Sequence, residues 1–444
     1  VVPMIATPRT VREWIAHFYD HDQDLAVAQQ LGLDPSSETP QREIERLARE
    51  KPVVRIVTDL IAEAVARRAS DIHIRPGEHG ADVLYRIDDE LVPVRRFMRA
   101  LLPAVVSRVK VLAAMNLGEH RKPQDGRTSF MLDDGRKVDL RISVMPAVFG
   151  ESLVIRLLDT MESLWSLDQL GLSPADRVRL DDVMSHSHGM FLTTGPTGCG
   201  KSTTLYAMLL ELRKQRINIL TIEDPVEFYI EDIQQMQVNR ATGFTFASAM
   251  RNFLRHDPDV IMVGEIRDLE TAEMAIQAAL TGHLVFSTLH TNDSVSAITR
   301  LEDLGVPPYL IGATVIGVLA QRLVRTLCPS CKQPDDALSR DDLSEFVKPW
   351  RLTGGVKPYK PVGCLECRMT GYMGRIGLYE ILLMSPEVRK AVSADVDIAR
   401  VREIAIREGM KPLRLSGALK VAAGITTLEE VVKIAPPAEN NEGS

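Results

Sequence analysis

A glycine-rich octapeptide near the middle of the chain has the composition of a phosphate-binding loop. It runs from Gly195 to Ser202 as Gly-Pro-Thr-Gly-Cys-Gly-Lys-Ser and fits the pattern GxxxxGK[ST]. An apolar, strand-like run precedes it and a helix-like run follows it, a context that favours a phosphate loop over a plain glycine turn with an exposed lysine. Backbone N–H groups of such a loop approach phosphate oxygens, and the helix dipole adds to the attraction.

The octapeptide therefore predicts binding of ATP with Mg²⁺. Lys201 is expected to reach the β- and γ-phosphates, and the Ser202 hydroxyl is expected to ligate Mg²⁺. Cys199 would offer only its backbone N–H, although a thiol near a helix N-terminus with a lowered pKa would make the activity sensitive to oxidation. The predicted nucleotide-binding residues are Gly195, Pro196, Thr197, Gly198, Cys199, Gly200, Lys201, Ser202 and Thr203.

Acidic residues follow two other predicted strands and could complete a hydrolytic site. We predict that Glu265 polarises the attacking water or holds Mg²⁺ through it, with Glu223 and Glu227 as supporting carboxylates. A helix cap or a surface charge is the alternative for each of them. Asp257 and Asp259 precede a strand, which places them at the wrong end of a parallel sheet for catalysis.

Two histidines flank another predicted strand. His290 follows the strand at the edge where catalytic groups gather, so it could sense the γ-phosphate, whereas His283 precedes the strand. Taken alone, either residue would by default be interpreted as a satisfied loop histidine or a helix cap. We include His290 among the predicted catalytic residues.

Four of the five cysteines form two CxxC pairs, Cys328 with Cys331 and Cys364 with Cys367. Four thiolates are the number that tetrahedral Zn²⁺ needs in a closed structural site, which leaves no position for catalytic water. Disulfides are the alternative, and the low, odd cysteine count argues against a secreted disulfide scaffold. The spacing therefore predicts a zinc module.

Composition restricts the class of protein that carries these motifs. The chain has 444 residues, 45% hydrophobic and 25% charged, with a net charge of −7. This balance is typical of folded globular protein and offers no basic field for nucleic acid. The longest apolar run, 310–320, is too short to span a bilayer, and no signal-peptide pattern opens the chain, which favours a cytoplasmic location. Because Val1 begins in an amphipathic context, we expect part of the natural protein to precede it.

The spacing of apolar residues predicts two kinds of domain around the motifs. A helix-like run from Pro52 is followed by period-two alternation that predicts strands with buried faces, and acidic turns at 88–90 and 133–135 separate the strands. The alternating apolar positions are Val83, Tyr85 and Ile87, then Val138, Leu140, Ile142 and Val144. The first part of the chain is therefore predicted to be an α+β domain.

Further along, continuous apolar strands alternate with helices, a pattern that indicates a parallel sheet covered on both faces. The predicted strands are Met190–Thr194, Ile217–Ile222, Val260–Val263 and Leu284–Thr288. We expect Asp268 to cap the helix between the last two, with Glu270 in its first turn and Gly282 at its end. Thr427 is expected to open a late helix with a capping box.

Together, several motifs resemble those of the secretion ATPases that power type II secretion and type IV pilus assembly. The motifs are the phosphate loop GPTGCGKSTTLY, the Asp box TIEDPVE, the Walker B segment LRHDPDVIMVGEIRD, the His box TGHLVFSTLHTND, the segment RASDIHI and the four cysteines. The similarity extends from about Pro52 to the last capped helix. Their joint occurrence in the same order is far more specific than any single motif.

The resemblance implies a RecA-like ATPase domain preceded by a PAS-like domain, in a homohexameric ring with ATP between the two domains. It implies that Arg127 and Arg141 approach the nucleotide phosphates when the domains close; without it, Arg141 would be an ordinary polar-face strand residue. It also implies peripheral recruitment to the inner membrane through a platform protein and a membrane-anchored linker protein, with the zinc module facing the platform. The predicted boundaries are 1–50 for the helical remnant of an N-terminal domain and a linker, 51–160 for the PAS-like α+β domain and 171–327 for the RecA-like ATPase domain. They continue with 328–370 for the zinc module, 371–434 for C-terminal helices and 435–444 for a disordered tail.

Three functions remain open from the sequence. The first is an ATP-driven motor that assembles a pseudopilus for type II secretion, with assembly of a type IV pilus as the close alternative. The second is a RecA-like nucleic-acid translocase, which the net charge of −7 and the 5% aromatic content disfavour. The third is a zinc-stabilised adaptor that binds ATP without turnover.

Overall fold

The computed structural model describes residues 27, 31, 41–88, 90–132, 134–159, 164–352, 354–393 and 396–435. The described residues form two compact units, and the boundary lies between residues 162 and 163. Most of the predicted helical remnant at 1–50 and nearly all of the predicted tail at 435–444 lie outside the described residues. Within the described part, no helix is both long and apolar enough to cross a bilayer.

The first unit is a six-stranded antiparallel sheet with helices packed on it, in the strand order β3-β2-β1-β6-β5-β4. Its helices are α1 (Gln41–Leu47), α2 (Lys51–Ala66) and α3 (Leu102–Leu112). Its strands are β1 (Asp71–Gly77), β2 (Gly80–Ile87), β3 (Glu90–Phe97), β4 (Gln124–Met131), β5 (Lys137–Ala147) and β6 (Gly150–Asp159). The α+β prediction for this unit is confirmed.

One face of the first sheet forms the core with α2 and α3, as the period-two pattern predicts. All seven alternating apolar positions in β2 and β5 are buried and join one hydrophobic cluster. The two predicted acidic turns connect β2 to β3 and β4 to β5. The opposite face of the sheet is left for polar residues.

The second unit contains a seven-stranded sheet in the order β15-β12-β7-β11-β10-β8-β9. Its strands are β7 (Gly189–Thr194), β8 (Ile219–Glu223), β9 (Gln234–Gln237), β10 (Val260–Val263), β11 (Leu284–Leu289), β12 (Val315–Leu327) and β15 (Tyr372–Leu383), and β13 (Gln333–Pro334) pairs with β14 (Tyr359–Lys360) separately. Its α-helices are α4 (Pro174–Ser185), α5 (Lys201–Arg213), α6 (Phe246–Phe253), α7 (Leu269–Leu280), α8 (Ser296–Asp303), α9 (Pro308–Thr314), α10 (Arg340–Phe346), α11 (Pro386–Ser393), α12 (Ile398–Arg407), α13 (Leu413–Ala422) and α14 (Leu428–Ile434).

The four predicted strands are parallel neighbours in this sheet, in the order β7-β11-β10-β8. Alternate residues of β7 enter different cores: Met190 and Leu192 pack with α7, whereas Phe191 packs with α5. The predicted α/β sheet with both faces covered is therefore confirmed. Asp268 caps α7 by accepting from the Thr271 N–H at 2.8 Å.

Five strands of this unit were not anticipated from the sequence, namely β9, β12, β13, β14 and β15. The apolar run at 310–320 divides between α9 and β12, and β15 opens a segment for which only helices were predicted. Strand β12 is parallel to β7, and β15 pairs with β12 in the antiparallel direction. The segment with the four CxxC cysteines thus lies between two paired strands of the seven-stranded sheet, because β15 returns the chain to that sheet.

The last helix shows half of the predicted capping box. The Thr427 hydroxyl accepts from the Glu430 N–H at 3.4 Å, as predicted. The reciprocal contact is not formed, because the Glu430 carboxylate binds the Arg325 guanidinium at 2.7 Å and Lys433 at 2.9 Å. Glu430 therefore ties the C-terminal helix to β12.

Candidate active site and cysteine cluster

The glycine-rich loop joins β7 to α5 and has the backbone of a phosphate cradle. Gly195 and Gly200 have φ angles of +147° and +88°. A Cβ atom on Gly195 would lie 2.6 Å from the Gln321 carbonyl oxygen, and one on Gly200 would lie 2.6 Å from the Gln321 Nε2 atom. Only glycine suits such crowded positions with positive φ. The loop, together with the N-terminus of α5, fits a nucleotide phosphate chain.

Lys201 is the first residue of α5, and its side chain is buried. Its Nζ atom donates to the carbonyl oxygens of Gly195 at 2.7 Å and Pro196 at 2.9 Å, so the loop itself positions the ammonium group. Burial lowers the pKa of Lys201. The next residue, Ser202, is exposed and can offer its hydroxyl to a Mg²⁺ ion that accompanies the nucleotide.

The environment of the Cys199 thiol contradicts one of the two expectations for this residue, a lowered pKa. It is 5% exposed, and burial raises its pKa despite the nearby Lys201 and Arg322. A reactive cysteine requires the thiolate at an accessible position. The hypothesis of a lowered pKa at Cys199 was therefore wrong, and the backbone role remains.

Glu265 and His290 follow neighbouring strands and meet at the edge of the sheet that carries the phosphate loop. Glu265 follows β10 and His290 follows β11, which lies between β10 and β7. The His290 Nε2 atom is 3.7 Å from a Glu265 carboxylate oxygen, and Arg267 contacts that carboxylate at 2.5 Å. Burial, and then the charge of Lys201, lower the pKa of His290. A carboxylate, a guanidinium and an imidazole are therefore gathered beside the loop.

Glu223, at the end of β8, is buried and already has three hydrogen-bond donors. It accepts from the Tyr206 hydroxyl, from Thr221 Oγ1 at 2.6 Å and from Gln235 Nε2 at 3.2 Å. Burial raises its pKa. These contacts hold the Glu223 carboxylate in place, and its predicted supporting role in catalysis stays a prediction.

Other acids and the second histidine lie where the sequence analysis expected them. Asp259 precedes β10 and accepts from the Asn218 N–H at 2.7 Å, which joins loops at the opposite edge of the sheet. His283 lies after α7, where its Nδ1 is 2.9 Å from the Ala278 carbonyl oxygen. Both residues have ordinary local roles.

Arg322 lies beneath the phosphate loop and was missed from the sequence. Its guanidinium is largely buried and donates to the carbonyl oxygens of Gln321 at 2.9 Å and Asn292 at 2.7 Å. Gln321, in turn, accepts from Thr204 Oγ1 in α5 at 2.7 Å. The signal in the sequence is a polar pair that directly follows the apolar first half of β12, and it becomes informative only once β12 is known to adjoin β7.

In the first unit, three arginines stand side by side across adjacent strands. Arg127 in β4 is opposite Arg141 in β5, and Arg141 is opposite Arg156 in β6. They line a concavity of about 370 Å³ together with Asp125 and Ser143. Like charges placed directly opposite destabilise a sheet, so this arrangement suits an anionic ligand. Arg156 was not identified from the sequence; its Nε is 3.0 Å from the Asp71 carboxylate.

The four cysteines of the two CxxC pairs form one cluster, with all sulfur atoms within 4.8 Å of one another. The Cys328–Cys364 sulfur distance is 3.9 Å, and the Cys331–Cys367 distance is 3.7 Å. Four sulfurs at about 2.3 Å from a tetrahedral ion are about 3.8 Å apart, so the cluster fits Zn²⁺.

Backbone donors also suit thiolates at this cluster. The Cys364 and Gly371 N–H groups donate to the Cys367 sulfur at 3.1 and 3.2 Å. Burial opposes ionisation, but at Cys367 these donors and the neighbouring thiols outweigh it and lower the pKa to about 6, whereas burial raises the pKa of Cys331 to about 11. The cluster could therefore hold a metal ion.

Comparison with known proteins gives a consistent result. The family model for the type II/IV secretion system protein matches residues 46–433. The type IV pilus assembly ATPase TfpB of Acinetobacter baylyi is 44% identical over 88% of this chain and 66% of its own length. The type II secretion system protein E of Aeromonas hydrophila is 46% identical over 86% of this chain and 75% of its own length.

A solved structure agrees with these relatives. The pilus retraction motor PilT with bound ADP has a TM-score of 0.58 and 26% identity, over 86% of this chain and 97% of that one. The chain spans about two thirds to three quarters of the length of the two relatives above. This chain therefore belongs to the type II/IV secretion system protein family, which includes the type II secretion and type IV pilus assembly ATPases.

Proposed function

We propose that this chain forms a homohexameric motor that hydrolyses ATP to drive assembly of a pseudopilus or pilus in a secretion system. One observation carries the proposal: the phosphate loop with Lys201, the carboxylate of Glu265 and the imidazole of His290 converge at one edge of the second sheet. This set supplies phosphate binding, a group that can orient water and a group that can respond to the γ-phosphate.

In this proposal Mg²⁺ bound with ATP neutralises the phosphate charge, and the protein supplies position and charge. Lys201 binds the β- and γ-phosphates, Ser202 ligates Mg²⁺, and Glu265 orients the attacking water. Arg127 and Arg141 of the first unit bind phosphate when the units close and release it after hydrolysis. The difference between ATP binding and ADP binding then drives movement of the two units.

We further propose that the motor acts from the cytoplasm on an inner-membrane platform protein, with a membrane-anchored linker protein as a second partner. The cysteine cluster is proposed to bind Zn²⁺ as a structural ion. The proposal covers both pilus assembly and type II secretion, because the relatives named for each function are almost equally similar, at 44% and 46% identity.

Phosphate release from Mg·ATP by the purified full-length chain, with its oligomeric state measured in parallel, tests this function. We expect a hexamer with steady turnover, and Lys201→Ala should lose most nucleotide binding. Stimulation by single-stranded DNA that disappears at high salt would instead favour a nucleic-acid translocase. ATP binding without phosphate release by the hexamer would favour the adaptor.

A further inference from the structure

The four residues after His290, 291–294, form what we call the post-histidine loop, and its first half is held by the sheet. The Thr291 N–H donates to Thr194 Oγ1 in β7 at 2.8 Å, and the two hydroxyl oxygens are also 2.8 Å apart. The Asn292 carbonyl oxygen accepts from the Arg322 guanidinium in β12 at 2.7 Å. The post-histidine loop is therefore anchored to β7, which leads into the phosphate loop, and to the adjacent strand β12.

The second half of the post-histidine loop is held by the C-terminal part of the chain. Asp293 pairs with Arg402 of α12 at 3.2 Å. Ser294 donates to one carboxylate oxygen of Glu380 in β15, from its N–H at 2.9 Å and from its hydroxyl at 2.6 Å. Each of the four loop residues thus contacts a different element.

Glu380 connects this loop to helix α13. Its second carboxylate oxygen accepts from the Leu413 N–H, at the start of α13, at 3.2 Å. The side chain is 2% exposed, so water cannot replace a lost partner without cost. Ser294 and the N-terminal end of α13 are therefore joined through one buried carboxylate.

The same C-terminal region holds the segment that begins the second unit. Lys420, near the end of α13, donates to the Gly171 carbonyl oxygen at 2.7 Å. Lys411 lies just before α13, and its ammonium group contacts the Ser173 hydroxyl at 2.9 Å and the Asp176 carboxylate at 3.4 Å. These contacts attach α13 to residues that follow the unit boundary closely in sequence.

We propose that helix α13 is a mechanical relay, with Glu380 as the positioning residue at its input and Lys420 as the positioning residue at its output. A change at the phosphate moves His290 and the post-histidine loop, Glu380 passes that movement to α13, and Lys420 passes it to the segment after the unit boundary. The inference rests on the proposed function, since it requires ATP and ADP to place His290 differently. A chain of contacts becomes a relay only if it responds to both ends.

Hydrogen exchange of the full-length chain, with Mg·ADP or with Mg²⁺ and a non-hydrolysable ATP analogue, tests the relay. In wild type we expect exchange at 411–422 and at 167–173 to differ between the two nucleotides. Glu380→Gln should lose both differences, because an amide has one acceptor oxygen and cannot serve both Ser294 and Leu413. Lys420→Met should lose only the difference at 167–173.

A matched control is Glu430→Gln, which removes another buried carboxylate that ties a C-terminal helix to the sheet. This variant should retain both nucleotide-dependent differences. If Glu380→Gln does not fold, Ser294→Ala removes a single hydrogen bond at the input and should reduce both differences. Helix α5 reports nucleotide binding in every sample.

The outcomes separate the relay from the proposed function. Absence of nucleotide protection at α5 would overturn the proposed function and the relay with it. Protection at α5 with equal exchange at 411–422 in both nucleotides would overturn the relay alone. Full nucleotide-dependent differences in both Glu380→Gln and Ser294→Ala would also overturn it.

Discussion

The imidazole of His290 lies 3.7 Å from the carboxylate of Glu265, although the two residues are 25 positions apart and follow different strands. They meet because β10 and β11 are parallel neighbours whose carboxyl ends share one edge of the sheet. Arg267 contacts the same carboxylate, so its direction is fixed from two sides. A carboxylate held in this way can orient a water molecule in one direction.

Glu265→Gln should nearly abolish hydrolysis while leaving nucleotide affinity close to that of wild type. The amide keeps the shape of the side chain but loses the negative charge and the basicity, a change that typically costs about 10²- to 10⁴-fold in rate. Phosphate release and binding of a fluorescent ADP analogue measure the two effects. Glu270→Gln, an exposed acid in the first turn of α7, is the control and should behave as wild type. Hydrolysis by Glu265→Gln at the wild-type rate would contradict the assignment.

The residues that could be identified from the sequence are those whose chemistry is encoded in local spacing. The phosphate loop and each of the two CxxC pairs fall within a short stretch, and Glu265 lies two residues after the apolar strand β10. Arg322 and Glu380 could not be found this way, because both are polar residues within strands. Their partners, Asn292 and Ser294, are 30 and 86 positions away. Their roles depend on the pairing of β7, β12 and β15.

Cross-strand pairing also explains why β15 and Arg156 were not identified from the sequence. Strand β15 carries glycines and charges that obscure its strand pattern, and it is stabilised by ten residue pairs of β12 rather than by its own propensity. Arg156 likewise looks like an ordinary strand arginine until its register places it beside Arg141. Arg127 and Arg141 were identified through the family resemblance, whereas spacing alone did not distinguish them from surface arginines.

Arg141→Ala should lose hydrolysis much more than nucleotide binding. The middle arginine of the three has an arginine opposite it on both neighbouring strands, so its removal takes charge from the centre of the concavity. Loss of a charge that stabilises the transition state costs about 10²- to 10³-fold in rate. Steady-state phosphate release and ADP binding separate the two effects.

Arg121→Ala provides the control for the arginine variant, because that side chain is 90% exposed and lies outside the concavity. Its hydrolysis should equal that of wild type. Equal rates of phosphate release in Arg141→Ala and wild type would contradict the proposal that the first unit binds the nucleotide phosphates.

Cys364→Ser should lose the bound metal and destabilise the segment between β12 and β15. Wild-type protein is expected to contain about one Zn²⁺ per chain, since four sulfurs complete a tetrahedral site. Elemental analysis and thermal unfolding with and without a chelator measure the effect. Cys199→Ser is the matched control, because its buried thiol lies in the phosphate loop outside the cluster. Equal zinc content in Cys364→Ser and wild type would contradict the assignment.

Glu430 should contribute to stability at neutral pH and lose this contribution in acid. Burial raises the pKa of its carboxyl, but hydrogen bonds from Arg325 and Lys433 outweigh burial and lower the pKa to about 2, from 4.5. A carboxyl whose pKa is lower in the folded state stabilises the protein above the unfolded-state value, and this stabilisation is lost as the pH falls through the folded-state value.

The contribution of Glu430 is therefore complete above about pH 4.5 and disappears toward about pH 2. Glu430→Gln should lower the unfolding temperature at pH 7, and the difference from wild type should shrink as the pH falls through this window. Glu429→Gln is the control, since its carboxylate is exposed and pairs with Lys433 at the surface at 3.0 Å. A difference between Glu430→Gln and wild type that does not change between pH 7 and pH 3 would show that the Arg325 pair does not set this pKa.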